Sequence, residues 1–227
     1  MGAIFKRELK SYFLSPIGYI VTGIFLLCFS IFFVVAVFNM GTADVGGAYW
    51  YTALYGLIIM APLLTMRMFA EERKNGTEQL LLTSPTSITG IVFGKLLASL
   101  AVIGITLIVS LVYTVIVSFL GTPNYYMILS EIFGFLLISL ATLSFGMFAS
   151  SITENQIISA VITITFLIAG LFLPDVNSIF SSFTLIDFYT SFAKGIISIE
   201  SIISLVLFSG VFIALTLIVM QRRKLVK

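Results

Sequence analysis

A chain of 227 residues that is 59% hydrophobic and 10% charged lacks the polar surface to clothe a water-soluble domain, where about 25% of residues are charged. The net charge of +2, with no basic run interleaved with aromatics outside the apolar segments, leaves no footprint for nucleic acid. The single cysteine, Cys28, allows no internal disulfide or cysteine cage, and the lack of histidine removes the commonest general base and metal ligand.

Residues 3–14 (IFKRELKSYFLS) mix charges with Ile4, Phe5, Leu9, Tyr12 and Phe13, several of them three or four apart. That pattern predicts an amphipathic helix on the inner membrane surface, ended by Pro16. Simple anchoring and a contact surface for a partner are both open. The run from Ile17 to Phe38 then continues for 22 residues without a charge. The apolar core of a signal peptide is about 7–15 residues, so this start reads as a span and not as a cleavable leader.

Six apolar runs, 17–38, 49–67, 95–120, 125–150, 156–173 and 201–220, reach or approach the roughly 20 residues a helix needs to cross a bilayer. Helices satisfy their own backbone in lipid, and these runs lack the alternation of barrel strands. The sequence predicts an all-α integral membrane protein, one domain over 1–227. Eleven Lys and Arg (Lys6, Arg7, Lys10, Arg67, Arg73, Lys74, Lys95, Arg222, Arg223, Lys224 and Lys227) fall on one side of the spans, and Lys194 alone on the other. The basic side is expected to be cytoplasmic, with both termini there.

The inner loop, 67–95, reads RMFAEERKNGTEQLLLTSPTSITGIVFGK. Asn75-Gly76 is a helix stop, with Gly76 free to turn left-handed. Thr77 is expected to cap a new short helix over about 78–83, Glu78 favours its positive end, and Ser84-Pro85 closes it. Ser87 is expected to cap the third span. The short helix carries Leu80, Leu81 and Leu82 across the inner mouth of the protein. Such a helix seeks a groove on a soluble partner, or its leucines rest on lipid. The Gly90 to Lys95 string has three residues between its glycines and Leu96 after the lysine, so it is not a phosphate loop.

On the third span, Thr106, Ser110, Thr114 and Ser118 recur every four residues and share one helix face. The stripe reads either as a lining for a substrate path or as packing, with hydroxyls bonded back to their own helix. Ser139, Thr142 and Gly146 on the fourth span, and Ser159 and Thr163 on the fifth, carry the same two readings. Glu131, near the outer end of the fourth span, is an intramembrane acid and so a functional candidate. A paired or snorkelling carboxylate competes with a role in substrate or proton passage. Thr153 with Gln156 three residues on predicts a capping box for the fifth span. The outer segment 174–198 is too apolar to lie free in water, and reads as short helices dipping back into the outer leaflet or as an interfacial loop. No nucleophile–base pair, metal cluster or cofactor motif emerges, so the chain by itself is not expected to be an enzyme.

The run from Glu71 through Glu72, Gly76, Thr77, Glu78, Leu80, Leu81 and Leu82 to Pro85, continuing to Gly94-Lys95, resembles the cytoplasmic loop of ABC-2-type permeases. The similarity is greatest to the branch that includes gliding-motility transporter permeases. It continues at Phe192-Ala-Lys-Gly195-Ile196 and at the basic tail, and covers essentially the whole chain. The resemblance implies the membrane subunit of an ATP-binding cassette exporter of the bacterial plasma (inner) membrane, similar to type V exporters. Two cytoplasmic ATPase subunits would bind ATP and Mg; this chain would hold no cofactor. A second permease, identical or a paralogue, and membrane lipids complete the implied partners. The loop over 76–84 would be the coupling helix seated in the ATPase, residues 1–15 the connecting helix, and 174–198 the re-entrant outer helices. Glu71, Glu72 and Glu78 would pair with the ATPase or the connecting helix, and Leu81 and Leu82 would be apolar anchors. A non-transporting membrane anchor that transmits ATPase motion, and an ATP-independent channel, are the competing functions.

Overall fold

The computed structural model describes residues 2–36, 45–83, 86–176 and 185–226. Among them there are helices and no strands. In chain order these are α1 (Gly2–Leu14), α2 (Pro16–Val34), α3 (Gly46–Tyr51), α4 (Leu57–Thr65), α5 (Ala70–Lys74), α6 (Glu78–Leu82), α7 (Ile88–Leu120), α8 (Tyr125–Ile152), α9 (Gln156–Val176), α10 (Leu185–Ala193) and α11 (Ile199–Val226).

Five helical segments are long and apolar enough to cross a membrane: Pro16–Val34, Gly46–Lys74, Ile88–Phe119, Tyr125–Ile152 and Ile199–Lys224. The apolar part of α9, Gln156–Phe172, is shorter. Side chains such as Ile108, Val112, Val115 and Phe119 stand exposed along one side of α7, as lipid-facing residues do. The second segment is not one smooth helix. A π-helical turn, Thr52–Gly56, joins α3 to α4, and Pro62 inside α4 removes a backbone donor.

α8 is the centre of the bundle, packed against α3, α4, α7, α9, α10 and α11. α1 lies against α7 and α2. Its Tyr12 is buried and donates to the Leu64 carbonyl at 2.9 Å. That carbonyl sits in the last turn of α4, where helical partners run out.

Element ends depart from expectation in informative ways. Ser87 caps α7 as expected, accepting from the Gly90 N–H at 3.1 Å, so the helix begins at Ile88, ahead of the apolar run. The expected capping box before α9 does not form. Asn155 accepts from the Ile157 N–H at 2.9 Å, while Thr153 is spent on Asn155 itself. Thr77 does not cap α6 with its side chain; its hydroxyl donates back to the Glu72 carbonyl at 3.2 Å. Of the outer segment 174–198, α10 is formed, with Tyr189 and Phe192 fully buried; residues 177–184 lie outside the described part, as does Pro85.

Candidate functional site

The inner loop is built by two helix ends meeting. α5 closes in a Schellman motif: the Gly76 N–H donates to the Arg73 carbonyl at 3.0 Å and the Thr77 N–H to the Glu72 carbonyl at 2.9 Å. Gly76 sits at φ +71°, a conformation that side chains disfavour. This turn ends α5 and leads directly into α6. The start of α5 has no cap of its own. Ser150 of α8 supplies one, accepting from the Phe69 and Ala70 N–H groups at 3.1 Å each while donating to the Met66 carbonyl at 3.3 Å.

Glu72 is the hinge of one charge cluster. Its Oε1 accepts from Lys95 Nζ at 2.9 Å and from Arg7 at 3.2 Å. Lys95 also lies 3.3 Å from Glu8, and Arg7 reaches Glu8 at 2.5 Å. Three elements, α1, α5 and α7, are thus joined by four charges. Lys95 is 2% exposed and sits 5.5 Å over the Phe69 ring. Burial alone would raise the Glu8 carboxyl, but Lys95 and Arg7 outweigh it and hold it below the usual carboxylate range. Burial would likewise lower the Arg7 guanidinium, and Glu8 with Glu72 lifts it instead. Burial pushes the Tyr12 phenol far up. The cluster borders a cleft of about 330 Å³, lined by Arg7, Glu8, Arg67, Glu71, Glu72 and Lys95 among others.

A second cluster lies on the other side of α6. Glu78 pairs with Arg223 at 3.0 Å and Arg73 at 3.6 Å. It borders a cleft of about 340 Å³ lined by Arg73, Gly76, Glu78, Gln79, Glu154 and Arg223. Glu71 pairs along its own helix turn with Arg67 at 3.8 Å and is half-exposed.

The loop's coupling candidates therefore divide. Glu72 and Glu78 face inward to partners of this chain. Leu81 is buried and belongs to the core cluster, which fastens α6 to the bundle. The side chains of Leu80 and Leu82 lie outside the described part. Among the described residues from Ala70 to Thr83, those fully exposed are Lys74 to Thr77, Gln79 and Thr83. Arg7 lies on the helix expected to pair with the loop glutamates, and Lys95 stands in the Gly-Lys pair of the family pattern. Ser150 and Arg223 carry no local signal, since the loop groups they bind lie 80 or more residues away.

The polar stripe on α7 is interior over Thr106, Ser110 and Thr114, while Ser118 is exposed. Thr106, Ser110 and Ser118 donate to carbonyls three residues back, at 2.6, 2.7 and 2.6 Å. Ser110 also bonds the Tyr49 hydroxyl at 2.9 Å. Glu131 is fully buried on α8, and Tyr189 of α10 donates to its backbone carbonyl at 3.5 Å. Thr106, Ser110 and Thr114 of the stripe are thus buried, as is Glu131, in a packed interior to which α3, α7, α8 and α10 contribute.

A family model described as ABC-2 family transporter protein matches residues 3–178, which include the amphipathic start, the inner loop and the helices up to the outer segment. The chain belongs to the ABC-2 family. Comparison with curated proteins gives no match. ABC-2 proteins are the membrane permeases of ABC transporters, generally non-catalytic subunits that normally work with a cytoplasmic ABC ATPase. With five long apolar helices, this ABC-2 chain is a multi-pass membrane protein.

Proposed function

We propose that this ABC-2 chain is the permease of an ATP-driven exporter in a bacterial plasma membrane, of the gliding-motility-like branch, with six spans, α9 among them, and both termini cytoplasmic. α6 with the turn before it is the coupling element, and α1 is the connecting helix beside it. Two ATPase subunits, loaded with ATP and Mg, act on two permeases, either two copies or a pair of paralogues. The outer segment around α10 is re-entrant, and the α7 stripe with Glu131 lies along the path opened when the permeases rock.

The observation that carries this reading is the charge-locked union of α1, α5 and α7 next to α6. A surface loop with no partner has no need to be cemented to the bundle from both sides. A loop that must pass on force needs that stiffness. The half-exposed Glu71, together with Lys74 to Thr77 and Gln79, leaves a polar contact face, as the rim of a protein interface is.

The test is purification of the tagged chain from its native membrane. A soluble-type ATPase is expected to come with it. Gln79→Trp, at an exposed position of α6 outside every ion pair, is expected to lose the ATPase at least tenfold while the permease keeps its melting temperature. An ATPase retained at the wild-type ratio would sink the coupling role of α6.

A further inference from the structure

Glu78 opens α6 and is only 5% exposed, an unusual depth for a carboxylate in a loop between spans. Two arginines hold it. Arg73 comes from the same loop, whereas Arg223 comes from the last turn of α11, 145 residues away. Both arginines also reach the end of α8. Arg73 donates to the Ser151 carbonyl at 2.9 Å and the Ile152 carbonyl at 3.1 Å, and Arg223 donates to the Ser151 carbonyl.

The last turn of a helix leaves four carbonyls without helical partners and carries partial negative charge. The two guanidinium groups therefore sit between two negative features, the α8 terminus and Glu78. A guanidinium offers five donors in a fixed fork and can serve both at once, while a lysine serves as a single point charge. Arg73 moves with the loop. Among the described residues, Arg223 is the cation that ties Glu78 to α11.

We propose that Arg223 is a positioning residue that latches α6 to the inner ends of α8 and α11, so that movement imposed on α6 reaches those two spans as well as its chain neighbours α4 and α7. The source of that movement rests on the ATPase-coupling reading above; the latch does not. Its mechanical sense follows from the packing, because α8 touches most of the bundle. A displacement applied at the α8 terminus reaches α10, on which α4 and α7 do not substantially pack, and gives α9 and α11 a second route beside their own contacts with α4 and α7.

The test has two arms, both on the full chain in detergent or nanodiscs. In the first, amide hydrogen exchange is followed without ATPase. Arg223→Gln is expected to speed exchange over 76–83 at least tenfold, and Glu78→Gln to speed it over 219–224. The double variant is expected to match the larger single effect, because the pair acts as a unit. Arg223→Lys is expected to restore protection over 76–83 in part and to leave the end of α8 faster than wild type. Exchange over 76–83 within twofold of wild type in Arg223→Gln, or additive effects in the double variant, overturns the latch.

The second arm uses the complex with its co-purified ATPase, with and without ATP and Mg. Wild type is expected to change exchange over 148–152 on nucleotide binding. Arg223→Gln is expected to keep the ATPase bound and to lose at least three quarters of that change. A wild-type response in the variant overturns the transmission role with the latch intact. A wild-type permease that brings down no ATPase removes the source of movement, and the transmission role with it, while the first arm still decides the latch.

Discussion

Lys95 Nζ lies 2.9 Å from Glu72 Oε1, with the lysine side chain 2% exposed and the glutamate 16%. The two residues are 23 apart in the chain and belong to α7 and α5. A cation this deep is tolerable because three groups share it: Glu72, Glu8 and the Phe69 ring. Removing it leaves two carboxylates facing one arginine. Lys95→Met is therefore expected to destabilise the permease by about 3 kcal/mol, the cost of breaking a buried pair on one side only. Lys95→Arg is expected to cost under half as much. Thermal unfolding of the purified chain compares the two, and equal melting temperatures for Lys95→Met and wild type would refute the central place given to Lys95.

Glu8 makes the same cluster acid-sensitive. The groups facing it are Arg7 on its own helix and Lys95 of α7, with Glu72 sharing both cations. Its folded value lies below the ordinary one. The sign is that of a depressed carboxylate: the stabilisation is fully present above the unfolded value of about 4.3, and is lost as pH falls through the lower folded value. The melting difference between wild type and Glu8→Gln is expected to be constant from pH 8 to 6 and to shrink as pH drops below about 4. A difference that widens on acidification would contradict the assigned direction.

Much of this was legible from the sequence, and what was not has a common cause. Long apolar runs named five membrane helices, because lipid imposes a length and a composition that the sequence reveals, while the run at 156–173 corresponds to the shorter apolar helix Gln156–Phe172. Asn75-Gly76 named the Schellman turn, because its signal is local. Thr77 and Thr153 misled as caps because their hydroxyls found nearer carbonyls or N–H groups once the turns had formed. The burial of Leu81 was not legible, because an apolar residue in a polar loop carries no sign of how far it packs on its own chain. Ser150 and Arg223 were silent, since a long-range ion pair or cap leaves no periodicity to read.

Ser150 is expected to be the costliest hydroxyl to lose. Its Oγ accepts two N–H groups at the start of α5 and donates to the Met66 carbonyl. Ser150→Ala leaves buried donors unsatisfied, at about 1–3 kcal/mol. Ser144→Ala loses only a bond to its own helix, to the Leu140 carbonyl at 2.7 Å, and is expected to cost far less. Equal melting shifts for the two variants would remove the special role given to Ser150.

Gly134 is where α10 presses into α8. A Cβ there would stand 2.5 Å from Phe192 Cβ and Cγ. Phe192 is fully buried, so it has no free direction in which to retreat. Gly134→Ala is expected to cost about 1–3 kcal/mol through overpacking. Phe192→Ala, which alone leaves a cavity, is expected to offset part of that cost when combined with it. A double-mutant cycle on melting temperature reads the coupling, and strictly additive effects would mean that α10 does not rest on Gly134.

The α7 stripe separates a packing role from a path. Ser110 holds Tyr49, and Thr106 is closed into the interior, so water has no present access to either. In a Cys28→Ser background, Thr106→Cys and Ser110→Cys are expected to resist a membrane-impermeant maleimide in the nucleotide-free permease. If the stripe lies on the path, ATP and Mg added to the ATPase-bound complex will open the two inner positions to the reagent at least fivefold faster. Glu131→Gln tests the acid in the same complex: an acid that must ionise along the path will cost the nucleotide-dependent labelling, and one that only packs will leave it. Labelling of Ser110→Cys that never responds to nucleotide would assign the whole stripe to helix packing, with Tyr49 as its partner, and would move the search for a path to the face shared by two permeases.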